Sequence, residues 1–401
     1  MDPVGGGVAT AVDLTTRALL EKGFEVEVAC SDAPDAPFLK NASYPVHALG
    51  PGKYHWAYSE KWLPWLEANL ERFDRVLIEG LWLYPSHIAA LACRRAGQPY
   101  CVFPHGMLDP WFQRLSERPL KAVRNLAYWL LVESHVVNNA AMLLFTCEQE
   151  RRLARIPFTP YRPEAEFVTG LGTTTPPEFT PQMQAVFSEL VPTVKWRRYW
   201  LFLGRLHPKK GVDILLDAFA QMAKEGFRVP DLVVAGPGLD TSYGKACIRK
   251  AAAINRRHEE TSNGRVLFTG MLTGDEKWGA IYGCVTFILP SHQENFGITV
   301  AEALACSRPV LVSNQVNIFQ EIQRGGGGLA GTDDFHGTCD VLHRWLTMPE
   351  ADREAMSGNA RETFQRHFDI TRAASKIAEA MTLVEPTPTA VQRPAPLVAV
   401  S

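Results

Sequence analysis

The feature that most constrains this chain is an alternation of strand-like and helical segments that runs, breaks at a polar, proline-rich stretch, and starts again. From Ala9 to Lys22 apolar residues recur at helical spacing, Gly23 can end the helix, and "FEVEVAC" then alternates as a strand does. "RVLIEGLWL" and "YCVFPHG" are short strand-like runs separated by the helical "SHIAALACRRAG". After Pro157 to Pro192 the alternation resumes with "YWLFLGRL", a helix expected over Val212 to Glu225, "DLVVAG", a helix near Lys245 to Arg257, "RVLFTG" and "CVTFILPS". Strand–helix–strand units cross over right-handed, so each series predicts a mostly parallel sheet covered on both faces. A length of 401 residues exceeds the ~250–300 at which a single core stops growing. The expected class is therefore α/β, with two Rossmann-like domains.

The expected limits are 1–185 for the first domain and 186–368 for the second. A helix at 369–384 could pack back on the first domain. A tail at 385–401 reads as disordered from its prolines and lack of periodicity. Hydrophobic residues at 46% and charged residues at 21% are ordinary for a globular protein. A formal net charge of −2 gives no global pull toward nucleic acid, so anion binding must come from local clusters. The eight cysteines are scattered without C-x-x-C or zinc-like spacing, which points to a reduced, cytoplasmic setting and no metal site. No apolar run reaches the ~18–20 residues of a membrane span, and the start does not read as a cleaved leader.

In doubly wound sheets ligands sit beyond the carboxyl ends of the strands. The glycine loop at Gly5 to Gly7, Glu79 to Trp82, His105, Gly204 to Lys210, Gly236 to Gly238, Gly270 to Leu272 and Glu294 to Gly297 all fall there. In "GRLHPKKG", Arg205, Lys209 and Lys210 crowd the start of the expected helix at Val212. Cations there oppose the helix dipole by roughly 0.3–1 kcal/mol each, and a bound anion reverses the sign. Phosphate binding is the reading for Arg205 and Lys210, a solvated turn for Lys209. In "PSHQENFGITVAEALACSRPV", Glu294 falls in a loop and Glu302 on a short helix from Ile298 to Cys306. Alone, Glu302 reads as part of a solvated helix stripe with Thr299 and Cys306. With an anion-binding helix start between them, the two carboxylates instead suit sugar and ribose hydroxyls, with backbone N–H groups of Phe296 to Thr299 facing phosphates.

These segments, with "LVVAGPG" and "VLFTGML", resemble the C-terminal donor-binding domain of group 1, or family 4, retaining glycosyltransferases; "GGGVATAVDLTTRALLEKGFEV" and "PHGMLDPWF" are similar to their N-terminal half. The resemblance covers nearly the whole chain. It implies the GT-B fold, a nucleotide diphosphate sugar as donor, and no metal or other cofactor. By it, Glu294 and Glu302 form an E-x7-E motif, Glu294 meeting the donor sugar and Glu302 the ribose. Arg205 and Lys210 match the diphosphate-binding pair, and Asn295, Phe296, Gly297, Ile298 and Thr299 the backbone cradle. Met271 and Leu272 lie by the base, and Gly6, Gly7 and Gly204 belong to the donor-side glycine turns. His105 becomes the active-site histidine; without the resemblance, a structural hydrogen bond at a strand end weighs equally. Ser307 stands where a glycine is common. His87, His207 and His292 have no such support and read as structural.

The stretch Trp111 to Trp129 mixes Arg114, Arg118, Lys121 and Arg124 with aromatics. A helix with a solvated basic face and a buried aromatic one is the first reading, and peripheral contact with the cytoplasmic membrane face the second. "YHWAYSEKWLPW" reads equally as acceptor-facing loop or core. The expected activity is transfer of a sugar to a hydroxyl of a glycan or lipid-linked acceptor with retention, in surface polysaccharide or glycoconjugate synthesis. A nucleotide-sugar epimerase or hydrolase on the same fold, or a non-catalytic binder of sugar nucleotides or glycans, stays open. Finally, only "MDPV" precedes Gly5, too few residues for the strand that should lead into the glycine loop. A parallel sheet without that strand leaves buried N–H and C=O groups unpaired, at ~1–3 kcal/mol each. The expectation is an unstable first domain and a natural start further upstream.

Overall fold

The computed structural model describes residues 1, 7–113, 119–196, 198–384 and 396–400. They form two units, Met1–Thr174 with Asp369–Ser401, and Thr175–Phe368.

In the first unit the strands are β1 (Glu25–Cys30), β2 (Val46–Ala48), β3 (Arg75–Glu79), β4 (Tyr100–Phe103), β5 (Met142–Phe145) and β6 (Glu166–Val168). The second unit carries β7 (Tyr199–Leu203), β8 (Asp231–Ala235), β9 (Val266–Gly270), β10 (Thr286–Leu289), β11 (Val310–Ser313) and β12 (Gly328–Gly331). One more strand, β13 (Pro396–Val400), belongs to the first unit. The sheet orders are β2-β1-β13-β3-β4-β5-β6 and β12-β11-β10-β7-β8-β9, and the pairings are parallel.

The position of β13 corrects the expectation for the tail. Residues 396–400 are a central strand, with Ala29 and Ile78 on either side of Val400 and Val28 and Leu77 on either side of Ala399. Residues 385–395 and 401 lie outside the described residues. Pro396 stands at the first strand position, where its missing N–H costs no ladder bond. Leu397, Val398, Ala399 and Val400 are all buried. Val398 and Val400 join a cluster with Val76, Ile78 and Trp129, while Leu397 packs with Leu77, Leu19 and Ile377 on the other face. Alternating side chains thus serve both faces of a sheet covered on both sides. The expected first sheet is short of a strand; here β13 stands between β1 and β3 and pairs with both.

The Ile370–Leu383 helix belongs to the same unit and buries Ala373, Ala374, Ile377 and Met381 against Ala18 and Leu19 of the Gly7–Glu21 helix. Asp369 caps it by accepting from the Thr371 N–H at 2.8 Å. Arg75 donates to the carbonyls of Met381 and Val384 at its far end.

The boundary at 174 also corrects the expected one at 185. Residues 175–185 contain the start of the Pro181–Leu190 helix, which lies against the Gly274–Gly283 helix of the second unit. A Cβ on Gly279 would fall 2.1 Å from the Met183 carbonyl oxygen. The bare glycine permits this approach, and Met183 and Phe187 are buried by it.

Candidate functional site

In the second unit the loop after β10 is pinned to the loop after β11. The Glu294 N–H donates to the Gln315 carbonyl, and the Asn317 N–H donates to the Glu294 carbonyl, each at 2.9 Å. This fixes the Glu294 backbone while its side chain meets Lys210, whose ammonium donates to the carboxylate in an ion pair. Two predicted residues far apart in sequence therefore meet at one point. Lys210 stands at the end of a short 3-10 turn, Pro208–Lys210, which His207 caps by accepting from the Lys209 N–H at 3.1 Å. The expected structural role of His207 is the observed one. Arg205 is exposed and makes no ion pair among the described residues.

Gly297 precedes the Ile298–Ala305 helix with φ 78°, a left-handed conformation that side chains adopt rarely. No side chain caps this helix. Its first N–H groups are left for water or an anion. The Phe296 ring is buried, edge-on to Phe368 at 5.7 Å between centroids. It holds the loop down against the second unit's core. Asn295 accepts at its side-chain oxygen from the Asn317 amide at 3.2 Å.

Glu302 is buried at 6% exposure, so the reading of a solvated stripe fails, and Cys306 beside it is buried too. Lys277, from the Gly274–Gly283 helix, donates to Glu302 Oε1 at 2.6 Å. Glu302 Oε2 is buried with no hydrogen-bond partner among the described residues. Burial pushes this carboxyl above its ordinary range, against the pull of Lys277. An unsatisfied buried oxygen costs ~1–3 kcal/mol, which a hydroxyl donor reaching it would recover. Met271 is exposed and Leu272 is buried.

In the first unit, chemistry gathers where β3 and β4 end. His105 Nε2 lies 2.5 Å from Glu79 Oε2, both side chains buried, and its ring stacks on Phe103 at 4.3 Å. Glu150 fixes the next turn by accepting from the Gly106 N–H at 2.5 Å and from the Thr146 N–H and hydroxyl at 2.7 and 2.6 Å. His105 has φ 51° and Trp82 φ 73°. Positive φ in bulky residues is strained and persists where surrounding contacts over-determine it. Trp82 shows those contacts: its backbone N–H donates to Glu133 Oε1 at 2.5 Å and its indole N–H to the Met107 carbonyl at 3.0 Å. Glu133 is fully buried, its Oε2 is unpartnered among the described residues, and burial raises its pKa to about 8.

The family models agree with this division. Residues 192–363 match the model described as glycosyl transferases group 1, and residues 6–168 the model described as glycosyl transferase 4-like domain. The chain belongs to the group 1 glycosyltransferases. This glycosyltransferase is 32% identical over 175 residues to O-antigen chain mannosyltransferase C of Escherichia coli, a match covering 42% of each chain. It is 28% identical over 189 residues to D-inositol 3-phosphate glycosyltransferase of Gordonia bronchialis, covering 45% of this chain and 40% of that one. The matched regions thus span about two-fifths of those relatives' lengths. Among solved structures it resembles the Anabaena protein HepE in complex with UDP, with TM-score 0.72 and 16% identity over 94% of this chain and 96% of that one. It also resembles sucrose-phosphate synthase from Thermosynechococcus elongatus, with TM-score 0.67 and 19% identity over 94% and 93%. Its fold is GT-B.

Of the glycosyltransferase's predicted site residues, Gly204, Arg205 and Lys210, with Glu294, Asn295, Phe296, Gly297, Ile298, Thr299 and Glu302, lie past the carboxyl ends of β7 and β10. Met271 and Leu272 follow β9, and His105 follows β4. Gly7 begins the first helix, while Gly6 lies outside the described residues. The sequence reading missed Lys277, Glu133 and Glu150, and it did not pair Glu79 with His105. Only Glu133 carried a signal, as a lone acid in the apolar run "WLLVE". The segment "YHWAYSEKWLPW" divides: Trp62 is fully buried, while Trp56 lines a cavity of about 430 Å³ with Trp82, Phe112, Tyr128, Lys121 and Arg124. A cavity of about 850 Å³ in the second unit lies instead near the amino ends of β7, β8 and β10, away from these residues.

Proposed function

We propose that the enzyme moves a sugar from a nucleotide diphosphate sugar to a hydroxyl of a glycan or lipid-linked acceptor, with retention of anomeric configuration and without a metal. The observation that carries this is the Lys210–Glu294 pair beside exposed Arg205 and the uncapped start of the Ile298–Ala305 helix. Lys210, Arg205 and the helix N–H groups hold the diphosphate and stabilise the charge that builds on it as the donor C1–O bond breaks. Glu294 accepts from sugar hydroxyls, and Glu302, through its unpartnered oxygen, from a ribose hydroxyl. The acceptor oxygen attacks C1 on the face the diphosphate leaves, and its proton passes to the departing phosphate oxygen, so no side-chain nucleophile is required. His105, paired with Glu79, is assigned as the active-site histidine of the first unit. We place the reaction on the cytoplasmic side, in surface polysaccharide or glycoconjugate synthesis.

Calorimetry with UDP and GDP tests the diphosphate site. Arg205→Ala and Lys210→Ala are each expected to lower affinity by about 1.5–3 kcal/mol, the range for hydrogen bonds to charged groups. Unchanged affinity in both would overturn the assignment. Incubation with a panel of donors separates transfer from epimerised donor, hydrolysed donor, or binding without turnover.

A further inference from the structure

The Pro119–Tyr128 helix does not bury its apolar side. Leu120 is 87% exposed, Val123 62%, Leu130 50% and Leu131 75%, and Leu126 on the flank is 46%. Positions 120, 123, 127, 130 and 131 share one helical face. The Trp129–Glu133 segment is a π-helical turn, which lets neighbouring Leu130 and Leu131 both face outward. The opposite side holds buried Ala122 and Trp129. The expected solvated basic face holds for exposed Arg124 and the expected buried aromatic face for Trp129, but apolar residues share the exposed side; Arg114 and Arg118 lie outside the described residues. Single exposed leucines are ordinary, whereas a continuous stripe of them marks an interaction surface.

Charge decides what the stripe faces. Lys121 and Arg124 are its ionisable residues, and from 119 to 132 there is no acid. A second copy seated on this face about a two-fold axis would bring Arg124, which lies within the stripe, toward its own equivalent, a repulsive arrangement. An anionic lipid surface satisfies both features, taking the leucines into the acyl boundary and the two cations at headgroup level. Lys121 and Arg124 also line the aromatic cavity with Trp56, Trp82 and Tyr128, so the cavity opens along the basic edge of the stripe.

We propose that this face docks on an anionic lipid bilayer and that the adjoining cavity takes the sugar headgroup of an acceptor anchored there. The second half rests on the glycosyl-transfer reading; the first does not. The test is co-sedimentation of the full chain with vesicles of mixed phosphatidylglycerol and phosphatidylcholine, against phosphatidylcholine alone. Binding is expected with the anionic vesicles and should fall about tenfold or more without the anionic lipid or in high salt. The double variant Leu120→Ser, Leu131→Ser, at two exposed positions, should lose about tenfold in vesicle binding with its circular dichroism and UDP affinity unchanged. Intact UDP affinity separates failure of this surface from failure of the donor site. Equal binding to both vesicle types, binding to neither, or a dimer in light scattering that the double variant dissolves would each overturn the proposal.

Discussion

The two units share one architecture and close it differently. In the second, every strand of the sheet comes from one stretch of chain, β7 to β12. In the first, six strands come from residues 25–168, and the strand between β1 and β3 comes from residues 396–400. The polar groups differ in step. Each unit buries a carboxylate with one oxygen unpartnered among the described residues, Glu133 in the first and Glu302 in the second, but the second joins its two motif carboxylates to lysines, while the first places the bulky Tyr54, Trp82 and His105 at positive φ. A continuous stretch yields a unit that local sequence can specify, and a sheet completed from afar depends on a few residues with no local signature.

The substitution expected to do most is Val398→Asp. Val398 is fully buried, and an unpaired carboxylate there should cost about 5 kcal/mol or more. In calorimetry the first unit should lose its transition while the second keeps its own, and Leu311→Asp in β11 should do the reverse. A first-unit transition surviving in Val398→Asp would show that β13 does not complete that sheet. Next is Glu294→Gln, expected to lower turnover by about 10²–10³, the scale of losing one preorganised transition-state contact, with both melting transitions in place. Wild-type turnover in that folded variant would return Glu294 to a structural partner of Lys210.

How much was legible follows the same division. The alternation of short apolar runs and helical segments placed β1, β3 and β4 of the first sheet and β7 to β10 of the second but not β2, β5, β6, β11 or β12, and "GRLHPKKG" with the glutamates at 294 and 302 singled out Lys210 and Glu294, which the fold brings together. "PLVAV" was misread because five apolar residues behind a proline-rich run carry no periodicity long enough to count. The physical demand for one more strand in the first sheet was visible, but its place and its source were not, since pairing partners that distant leave no trace in spacing. Lys277 escaped for a related reason. It reaches Glu302 from a different helix, and nothing in "GDEKWG" distinguishes it from a solvated lysine.

Lys277 gives the third test. Lys277→Met leaves Glu302 buried without its cation and should destabilise the second unit by about 3 kcal/mol, read from its melting transition, with most of the loss recovered on adding Glu302→Gln. No loss in the single variant would mean that the pair is effectively solvated. The smallest effect concerns Glu133, whose carboxyl rises from an ordinary 4.5 to about 8 in the folded first unit. Between those values the unfolded chain has released this proton and the folded unit retains it, so stability falls as pH rises through that window. From pH 6 to 7 the step is at most about 1.4 kcal/mol, and Glu133→Gln should remove it from the first transition alone. An unchanged pH slope in that variant would assign the dependence to another group.

The place of β13 also sets a timetable. A chain made from its amino end releases β7 to β12 while β1 and β3 still await the strand that lies between them. The later-encoded unit can therefore finish folding first, and the earlier one must keep two strand edges unpaired until residues 396–400 emerge. Pairing Ala29 with Val400 closes nearly the whole chain into a loop, the slow kind of contact whose entropy is lost before it yields any stabilisation. During that interval the open edges of β1 and β3 invite pairing with other chains. Aggregation in the newly made protein should accordingly begin at β1 and β3, although in the finished molecule they are among its best-protected strands.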